Sequence, residues 1–480
     1  MNIASLARTM LNQQKILLAV LLCLAILGCS TAQPAKPLDS SATTTKILSK
    51  DPNSAVFKHY LIKHGHIEQG LPFTYWGLDE LTLAALFFHT KLDVAKKQLT
   101  LANLGIATAG IKSKPSINAD MAHSNQRNDD IKPWSYGLSV DIPIETASKR
   151  EIRIEKAQKS AEAARMDVAE VAWQLRDQIA VDLIAYHQNK AETKLLEEAL
   201  AIQAHIAKML EKRVDAGITS KTELSHASLL ALKTEHALNK KHAQFNLIKV
   251  KLAADVGLSP EKFESIRIKP LALVETLAHQ AEAFNKPLAS KALQTEALLN
   301  RIDIRRSIAN YAAAEAEIKL QVAKQTPDIT LSPGILFDFG DSVWSLGFSS
   351  LLNSLNKNTA LIEEAKQLRE IQGAQFEHLQ AETIAQLNQA HVRYDSAKQT
   401  SQQAEVQHTQ QLKQMQKMEK QFNAGLIGKV DLKKFTLNTI VAKQQVLASK
   451  FELLKVANQI ENVMQKPIYT PFNMPKFNDK

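Results

Sequence analysis

The sequence predicts a mainly α-helical protein built on long antiparallel coiled-coil hairpins, with a small contribution of β-strands. Glycine and proline are scarce, at 15 of each among 480 residues, which favours long helices. Residues 144–216 contain neither, so a single helix of about 100 Å fits this stretch. Two glycine phrases, DAGITSKTEL from Asp215 and NAGLIGKVDL from Asn423, lie 208 positions apart and indicate that one unit occurs twice.

Two further pairs of segments repeat in the same order. WSYGLS at Trp134 returns as WSLGFS at Trp344, and KPSINAD at Lys114 returns as TPDITLS at Thr326. Each half therefore predicts an apolar helix, a strand, a turn, a second strand, a long helix, a glycine phrase and another long helix. A duplicated unit is the simplest explanation of three landmarks in register.

The first long helix has a coiled-coil seam and a clear end. Its apolar positions step by 4, 3, 4 and 3 residues through Leu195, Ala199, Ile202, Ile206 and Met209. Gly217 then ends the helix, as a left-handed residue after the last turn would. A return helix is predicted over about 220–256. In the second half, helices are predicted over about 356–423 and from Gly428 to about 464, so each glycine phrase is a hairpin tip.

Four segments of alternating hydrophobicity are predicted strands: SINADMAHS, WSYGLSVDIPI, DITLSPGILF and SVWSLGFSSLL. In the second of them Trp134, Tyr136, Leu138 and Val140 share one face, and Trp344 lies on the corresponding face of the fourth. Their lengths approach the ~9–11 residues of a tilted membrane-spanning strand, and such tryptophans suit a membrane interface. Four strands of a soluble sheet are the alternative. Because lipid tolerates no open sheet edge, a membrane role requires several copies of the chain.

The first thirty residues resemble the start of a bacterial lipoprotein. Two basic residues precede a twelve-residue apolar run, Ile16–Leu27, which is too short to span a membrane and suits a signal peptide. The run ends in ILGC at Cys29, which is similar to the lipobox, where the cysteine is acylated and the chain is cut before it. Since Ser30 and no aspartate follows, the resemblance implies the outer membrane. An ordinary signal peptide with a chance cysteine is the alternative.

The cysteine count and the charge agree with an exported chain. The two cysteines are Cys23 and Cys29, and cleavage before Cys29 leaves one, which cannot form a disulfide within the chain. The net charge of +10 falls to +8 when the two basic residues of the signal are removed. Basic and acidic residues alternate along the helical stretches, so nucleic acid is not expected as a partner.

The duplicated strand pair and hairpin, with AG at each tip and a lipobox in front, resemble the TolC-type outer-membrane efflux factors. The resemblance covers about residues 77–465. WSYGLSVDIPIETASKREIRIEKAQKSAEAAR is similar to the cation-efflux, CzcC-like branch of this outer membrane efflux protein family. NRIDIRRSIANYAAAEAEIKLQVAKQTPDITLSPG is similar to the start of its second repeat. The sequence departs from the pattern at Ile302, where the family often has proline, and at SSLLNSLNKN, which lacks the usual Pro-Leu-Phe.

The resemblance implies a homotrimer. Four strands from each chain would form a transmembrane β-barrel, and the long helices would form a trimeric α-barrel across the periplasm. It implies a passive duct in outer-membrane lipid, into which an inner-membrane efflux pump of the RND type delivers substrate through a periplasmic adaptor. Heavy-metal cations follow as cargo from the branch, and drugs or other small molecules are the alternative. No cofactor and no enzymatic activity are implied.

The domain boundaries follow from these segments. We predict a signal peptide over 1–28, a lipidated tether and pre-domain segment over 29–75, repeats over 76–270 and 289–465, a linker over 271–288 and a tail over 466–480. The small and polar stretch STAQPAKPLDSSATTT after Cys29 is expected to act as the tether.

The sequence contains no motif for catalysis, because GxSxG, a Walker loop, CxxC and HExxH are all missing. His59, His64 and His66 lie near one another, but without a further ligand in register they are expected to be solvated. Trp173 is expected to be a packing residue of the long helix. A periplasmic adaptor and a structural coiled-coil lipoprotein are rival classes, and paired aromatic strands disfavour both.

The tips supply the candidate site. Asp431 follows Gly425 by six residues, and the resemblance matches it to a carboxylate that lines the closed periplasmic aperture of TolC-like channels. Glu223, after Gly217, holds the equivalent position in the first repeat. Lys434 stands where TolC has a second aspartate, and its spacing of three residues is expected to neutralise Asp431 in part. The alternative is that Asp431 only stabilises the start of its helix.

We predict that Cys29 carries a thioether-linked diacylglyceryl group at the mature N-terminus, because the apolar run ends in the lipobox-like ILGC. Mass spectrometry of the mature protein should find a diacylated or triacylated cysteine as its first residue. An unmodified N-terminus further along, within TAQPAK, would contradict this prediction.

Overall fold

The computed structural model describes residues 36–64, 70–123, 125, 134–271, 291–338, 341–350 and 358–467. The chain divides into two units, Met1–Ser49 and Lys50–Lys480. The predicted signal peptide, Cys29 and His66 lie outside the described residues, as does the predicted linker after its first residue. Most of the predicted C-terminal tail lies outside them too.

The described residues of the first unit form one helix, α1 (Ser40–Leu48). The carboxylate of Asp39 caps it, because it accepts hydrogen bonds from the backbone amides of Ser41 and Ala42 at 2.9 and 3.1 Å. None of its residues is buried. The segment predicted to be a tether therefore ends in a capped helix, which its small and polar composition did not predict.

The second unit contains the predicted repeat. Its first part consists of α2 (Ala55–Lys63), α3 (Leu78–Phe88), α4 (Thr90–Ala109), β1 (Ser116–His123), β2 (Trp134–Ile144), α5 (Lys149–Asp215), α6 (Lys221–Val256) and α7 (Pro260–Phe263). Its second part consists of α8 (Lys291–Asn300), α9 (Ile302–Ala323), β3 (Ile329–Asp338), β4 (Asp341–Ser350), α10 (Thr359–Asn423) and α11 (Lys429–Met464). The predicted class, mainly helical with four strands, is confirmed.

Two long helices dominate the fold. Helices α5 and α10 run for 67 and 65 residues, which corresponds to about 100 Å each. Each packs along the helix that follows its tip, α6 and α11, so the predicted hairpins are present. Helix α10 passes through Gly373 without a break. Among the described helices, none has both the length and the hydrophobicity needed to cross a membrane.

The four strands form one antiparallel sheet in the order β1-β2-β3-β4. Tyr136 of β2 pairs with Met121 of β1 and with Phe337 of β3, and Ile335 pairs with Trp344 of β4. This register places alternate residues of all four strands on a common face. The strands β1 and β4 are the two edges of the sheet.

A sharp turn joins the sheet to each long helix. Ser148 and Asn358, which precede α5 and α10, both have a left-handed φ of 53°. In the first repeat, the Lys149 ammonium donates a hydrogen bond to the Asp328 carboxylate at 2.7 Å. In the second repeat, the Asn358 side-chain amide donates to the backbone carbonyl of Gln321 at 3.2 Å. Both turns are therefore held by the chain that leads into β3.

The core of the first repeat includes part of the predicted pre-domain segment. Phe57 and Leu61 of α2 are buried, at 1% and 2% exposure, together with side chains of α3, α4, α5 and α6. These partners include Leu81, Leu86, Phe88, Leu92, Val168, Ile179, Leu252 and Val256. Because α2 contributes two large apolar side chains, the packed structure extends to residues before position 76.

A buried polar contact joins the two hairpins along α5 and α11. The Arg176 guanidinium lies 3.0 Å from the Glu461 carboxylate, and both side chains are at most 4% exposed. Beside them, the Trp173 indole donates a hydrogen bond to the Asn462 side-chain oxygen at 2.9 Å. Trp173 is buried, so the prediction that it is a packing residue is confirmed.

The contacts at the start of α9 explain why isoleucine stands at position 302, where the family often has proline. Its backbone amide donates a hydrogen bond to the Gln465 side-chain oxygen at 2.6 Å. The preceding residue, Arg301, donates to the Val463 carbonyl at 2.7 Å. A proline at position 302 would have no amide hydrogen to donate. Isoleucine therefore allows α9 to be bonded to the C-terminal end of α11.

We predict that Gly257→Ala destabilises the protein more than Gly217→Ala does. Both glycines have a left-handed φ, 80° and 68°, where alanine is strained by about 1–2 kcal/mol. A Cβ atom at position 257 would also lie 2.9 Å from backbone atoms of Phe88 and His89, whereas nothing lies within 4 Å at position 217. Urea unfolding followed by circular dichroism measures both losses, and equal losses would contradict the close packing at Gly257.

Candidate functional site

The two glycine phrases form matching hairpin tips. Gly217 and Gly425 have left-handed φ values of 68° and 74°. The amides of the next residues, Ile218 and Leu426, donate hydrogen bonds to carbonyls of the preceding helical turn at 2.8 and 2.9 Å. This geometry is the Schellman motif, in which glycine adopts the left-handed conformation at low cost. The tip geometry that the sequence predicts is therefore present in both repeats.

Each tip ends in an exposed apolar side chain. Ile218 is 72% exposed and Leu426 is 74% exposed. Behind them, Ile206 and Leu210 of the first hairpin form a buried cluster with Val430 of the second. The cluster holds the two tips side by side. Two equivalent apolar residues are thus available at the tips for contact with another protein.

The return helices begin with equivalent carboxylates that have different surroundings. Glu223 and Asp431 are each the third residue of their helix. Ser220 caps α6 by accepting a hydrogen bond from the Glu223 amide at 3.3 Å, and the Thr219 hydroxyl donates to the Glu223 carboxylate at 2.7 Å. Gly428 precedes α11 and has no side chain with which to cap it. Asp431 is exposed.

Lys434 pairs with the other repeat and not with Asp431. Its ammonium lies 3.1 Å from the Glu223 carboxylate, so this ion pair links the second hairpin to the first. The expected pairing of Lys434 with Asp431 three residues earlier in the same helix is replaced by this contact. The Thr219 hydroxyl and the Lys434 ammonium together lower the pKa of Glu223. Glu223 is thus bonded to both groups, whereas Asp431 is exposed to solvent.

The two faces of the sheet differ in chemistry. Trp344 is 82% exposed and Trp134 is 40% exposed, and both lie on one face. Most of the other residues on that face are apolar: Ile117, Met121, Tyr136, Leu138, Val140, Ile142, Leu331, Ile335, Phe337, Leu346 and Phe348. The opposite face carries mainly glycine, serine, asparagine and aspartate. The alternation that the sequence predicts for β2 therefore extends over all four strands.

The histidines of the N-terminal segment do not form a site among the described residues. His59 is exposed, and a ring nitrogen of His64 lies 2.8 Å from the Tyr60 carbonyl. Across the part of the chain that the structure describes, no three histidine, cysteine, aspartate or glutamate side chains come close enough to hold a metal ion. The tips and the sheet therefore remain the candidate sites.

Comparison with known proteins supports this description. Residues 85–257 match the family model described as Outer membrane efflux protein. The chain is 23% identical over 273 residues to the pyoverdine export outer membrane protein OpmQ of Pseudomonas aeruginosa, covering 54% of this chain and 55% of OpmQ. It is 24% identical over 243 residues to the cobalt-zinc-cadmium resistance protein CzcC of Cupriavidus metallidurans, covering 51% and 54%. The chain spans about half the length of these curated relatives.

The fold also has a solved counterpart in the outer membrane protein VceC of Vibrio cholerae. The similarity covers 82% of this chain and 96% of VceC, with a TM-score of 0.63 and 18% identity, and it shows the fold. An efflux protein moves solutes and catalyses no reaction, which agrees with the prediction that the chain is not an enzyme. Residues 85–257 thus match the family model of outer membrane efflux proteins, and the duplicated strand pair and hairpin, the two relatives and the shared fold agree with that match.

Proposed function

We propose that this chain is the outer-membrane component of a tripartite efflux system. Three copies form a passive duct, and an inner-membrane pump of the RND type drives substrate into it through a periplasmic adaptor. Acylated Cys29 anchors each copy to the outer membrane, and the helical hairpins extend into the periplasm. The match of residues 85–257 to the outer membrane efflux protein family model supports the location and the general role.

The apolar face of the sheet is the observation that carries this proposal. Trp344, Leu346 and Phe348 of β4 are 62–82% exposed, and an open patch of this kind marks a membrane or partner surface. Lipid covers such a face, but lipid cannot satisfy the unpaired backbone groups at the β1 and β4 edges. Pairing β4 of one copy with β1 of the next removes both edges. Three copies would close a sheet of twelve strands.

The helices of a single chain also leave apolar side chains uncovered. Five of them on α6 are 40–61% exposed: Leu229, Leu230, Leu232, Leu247 and Val250. Helix α10 exposes six more: Leu361, Leu368, Ile371, Val392, Val406 and Leu412. Neighbouring copies in a trimer would bury these positions, and each would contribute apolar area that favours assembly. The same trimer that closes the sheet can therefore cover the helices.

The tips are the surface that we assign to the adaptor. Ile218 and Leu426 are exposed at the ends of both hairpins, and Lys434 and Glu223 lie close behind them. Since each chain presents two equivalent tips, a trimer would present six to its partner. An adaptor with short apolar pockets at a sixfold spacing would fit this surface.

Heavy-metal cations are the substrate class that we propose. The similarity to CzcC and the segment that resembles its branch support this choice. The similarity to OpmQ supports the alternative, a duct for drugs or other small molecules. A deletion strain should be challenged with cobalt, zinc and cadmium and with a panel of drugs. Sensitivity to the metals alone supports the proposal, and sensitivity to the drugs alone supports the alternative.

We predict that the full-length protein is a trimer in detergent by multi-angle light scattering. A Cys29→Ser variant that is exported by an ordinary cleaved signal peptide should still require detergent, because the apolar sheet face also binds lipid. A monomer with native helix content would contradict the duct. A variant that stays soluble without detergent would favour an adaptor or a structural coiled-coil lipoprotein.

We also predict that the Lys434–Glu223 ion pair limits conduction through the tips. In planar bilayers, Lys434→Ala should raise conductance and cation preference roughly two- to threefold, because it frees Glu223 and unlinks the hairpins. Asp431→Ala should lower cation preference, since it removes an exposed carboxylate. Lys433→Ala is the matched control, because it removes the same charge and leaves the ion pair in place.

Two outcomes of these recordings would contradict the prediction. If Asp431→Ala and Lys434→Ala both conduct and select like the parent, Asp431 only stabilises the start of its helix. If Lys433→Ala has the same effect as Lys434→Ala, the positive charge near the tip determines conductance and selectivity, and the ion pair between the hairpins does not.

A further inference from the structure

Two aspartates meet where α5 and α6 pack together, at the end of the first hairpin that lies away from its tip. Asp182 of α5 is 4% exposed, and Asp255 is the last residue but one of α6. Their carboxyl groups are within hydrogen-bonding reach of each other. The other partners of Asp182 are distant, because the Lys251 ammonium lies 3.7 Å away and the Gln178 amide donates at 3.4 Å. Two carboxyl groups thus share a poorly solvated space.

One oxygen of this pair lacks a hydrogen-bond donor. The Oδ2 atom of Asp255 is buried, and no donor among the described residues reaches it. A buried oxygen of this kind is costly, and two adjacent carboxyl groups in such a place cannot both be ionised without strong repulsion. A single proton held between the two groups removes both costs. Burial, followed by the hydrogen bond and the charge of Asp182, raises the pKa of Asp255 to about 7.

The second repeat has apolar residues at the equivalent positions. The offset of 208 residues between the two tips maps Asp182 onto Ala390 and Asp255 onto Val463. Ala390 and Val463 are 1% and 8% exposed, and both belong to one apolar cluster. The packing of a long helix on its return helix therefore does not require charge at this level. The carboxyl pair is a feature of the first repeat that the shared fold does not explain.

The pair lies where the end of α6 is attached to the rest of the first repeat. Leu252 and Val256 of α6 are fully buried in the core. The backbone of Gly257 packs directly on that of Phe88 and His89, at the junction of α3 and α4. If this attachment opens, water reaches both carboxyl groups and the reason for sharing a proton disappears. Binding of the proton is therefore coupled to the packing of the end of α6.

We propose that the Asp182–Asp255 pair makes the attachment of α6 to α5 depend on pH. While the pair holds its proton, the end of α6 stays packed. Loss of the proton above neutral pH places two like charges side by side, and the end of α6 then opens more often. The second hairpin has Ala390 and Val463 at this level and does not respond. This switch operates within a single chain and does not require the proposed trimer.

The charged groups that act on Asp255 come from three helices: Asp182 of α5, Lys91 of α4 and Lys251 of α6 itself. The two lysines lower its pKa, but burial and Asp182 outweigh them, so the folded chain keeps a proton that the unfolded chain releases. The stabilisation by the pair is therefore fully present below about pH 4, the ordinary pKa of an aspartate, and is lost as the pH rises to about 7. Burial lowers the pKa of His89, and this shift has the opposite effect, because it makes stability rise with pH.

The test is hydrogen–deuterium exchange of the full-length protein in detergent, measured by mass spectrometry at about pH 5.5 and about pH 8 and corrected for the intrinsic exchange rate. The end of α6 should open roughly tenfold more often at the higher pH, whereas the end of α11 should change less than about twofold. Asp255→Asn replaces the shared proton with an amide that can donate to Asp182 at every pH. In this variant the difference at the end of α6 should also fall below about twofold.

The repeat supplies a second variant. Asp182→Ala with Asp255→Val gives the first hairpin the residues of the second, and it should likewise remove the pH difference if Asp255→Asn fails to fold. Glu235→Gln is the control, because it removes an exposed carboxylate from the same helix, and it should behave like the parent. A parent whose α6 opens equally at both pH values, or a difference that persists in either variant, would overturn the inference. Both results leave the proposed duct standing, because trimer formation is measured separately by light scattering.

Discussion

The buried ion pair between Arg176 and Glu461 fixes how the two helical hairpins lie against each other. Both side chains are at most 4% exposed, so each charge has lost most of its hydration and depends on the other. Removing one partner of such a pair typically costs about 3–5 kcal/mol. Asn458 adds a hydrogen bond to Asp177 on the neighbouring turn at 2.8 Å. A polar contact of this kind forms in only one register of α5 against α11. That register also sets how the two tips lie relative to each other, roughly 50–60 Å further along the helices.

The two repeats have the same order of helices and strands but differ in the side-chain contacts that stabilise their turns and tips. Before α5 the turn is held by the ion pair of Lys149 with Asp328, whereas before α10 it is held by the neutral amide of Asn358. At the tips the same division returns, because Glu223 is bonded and Asp431 is exposed. Duplication therefore supplies equivalent positions. Sequence divergence then leaves the carboxylate at the first tip hydrogen-bonded and the carboxylate at the second tip exposed. A partner that meets six tips would meet two alternating kinds.

The sequence predicts the parts of the fold that depend on local rules. The lack of glycine and proline predicts α5 and its length, Gly217 and Gly425 predict the tips, and alternation predicts β2 to the residue. The ion pair of Lys434 with Glu223 was not predicted, because the spacing of residues within one helix gives no information on a residue 211 positions away in sequence. The composition of the polar sheet face could also have been predicted from the sequence. Writing out the second face of each predicted strand places Asp120 and Asp141 on it.

A single chain leaves two kinds of surface unsatisfied, and the proposed trimer would satisfy both. The sheet exposes apolar side chains and two open edges, while α6 exposes a row of leucines that water solvates poorly. The sheet is tied to the hairpins, because Lys149 bonds the start of α5 to the chain entering β3. A neighbour that pairs with the β1 edge must therefore also approach the helices. In the proposed trimer, closure of the sheet and closure of the helical layer would for this reason be one event, and a change that loosens the contact at Lys149 would weaken both.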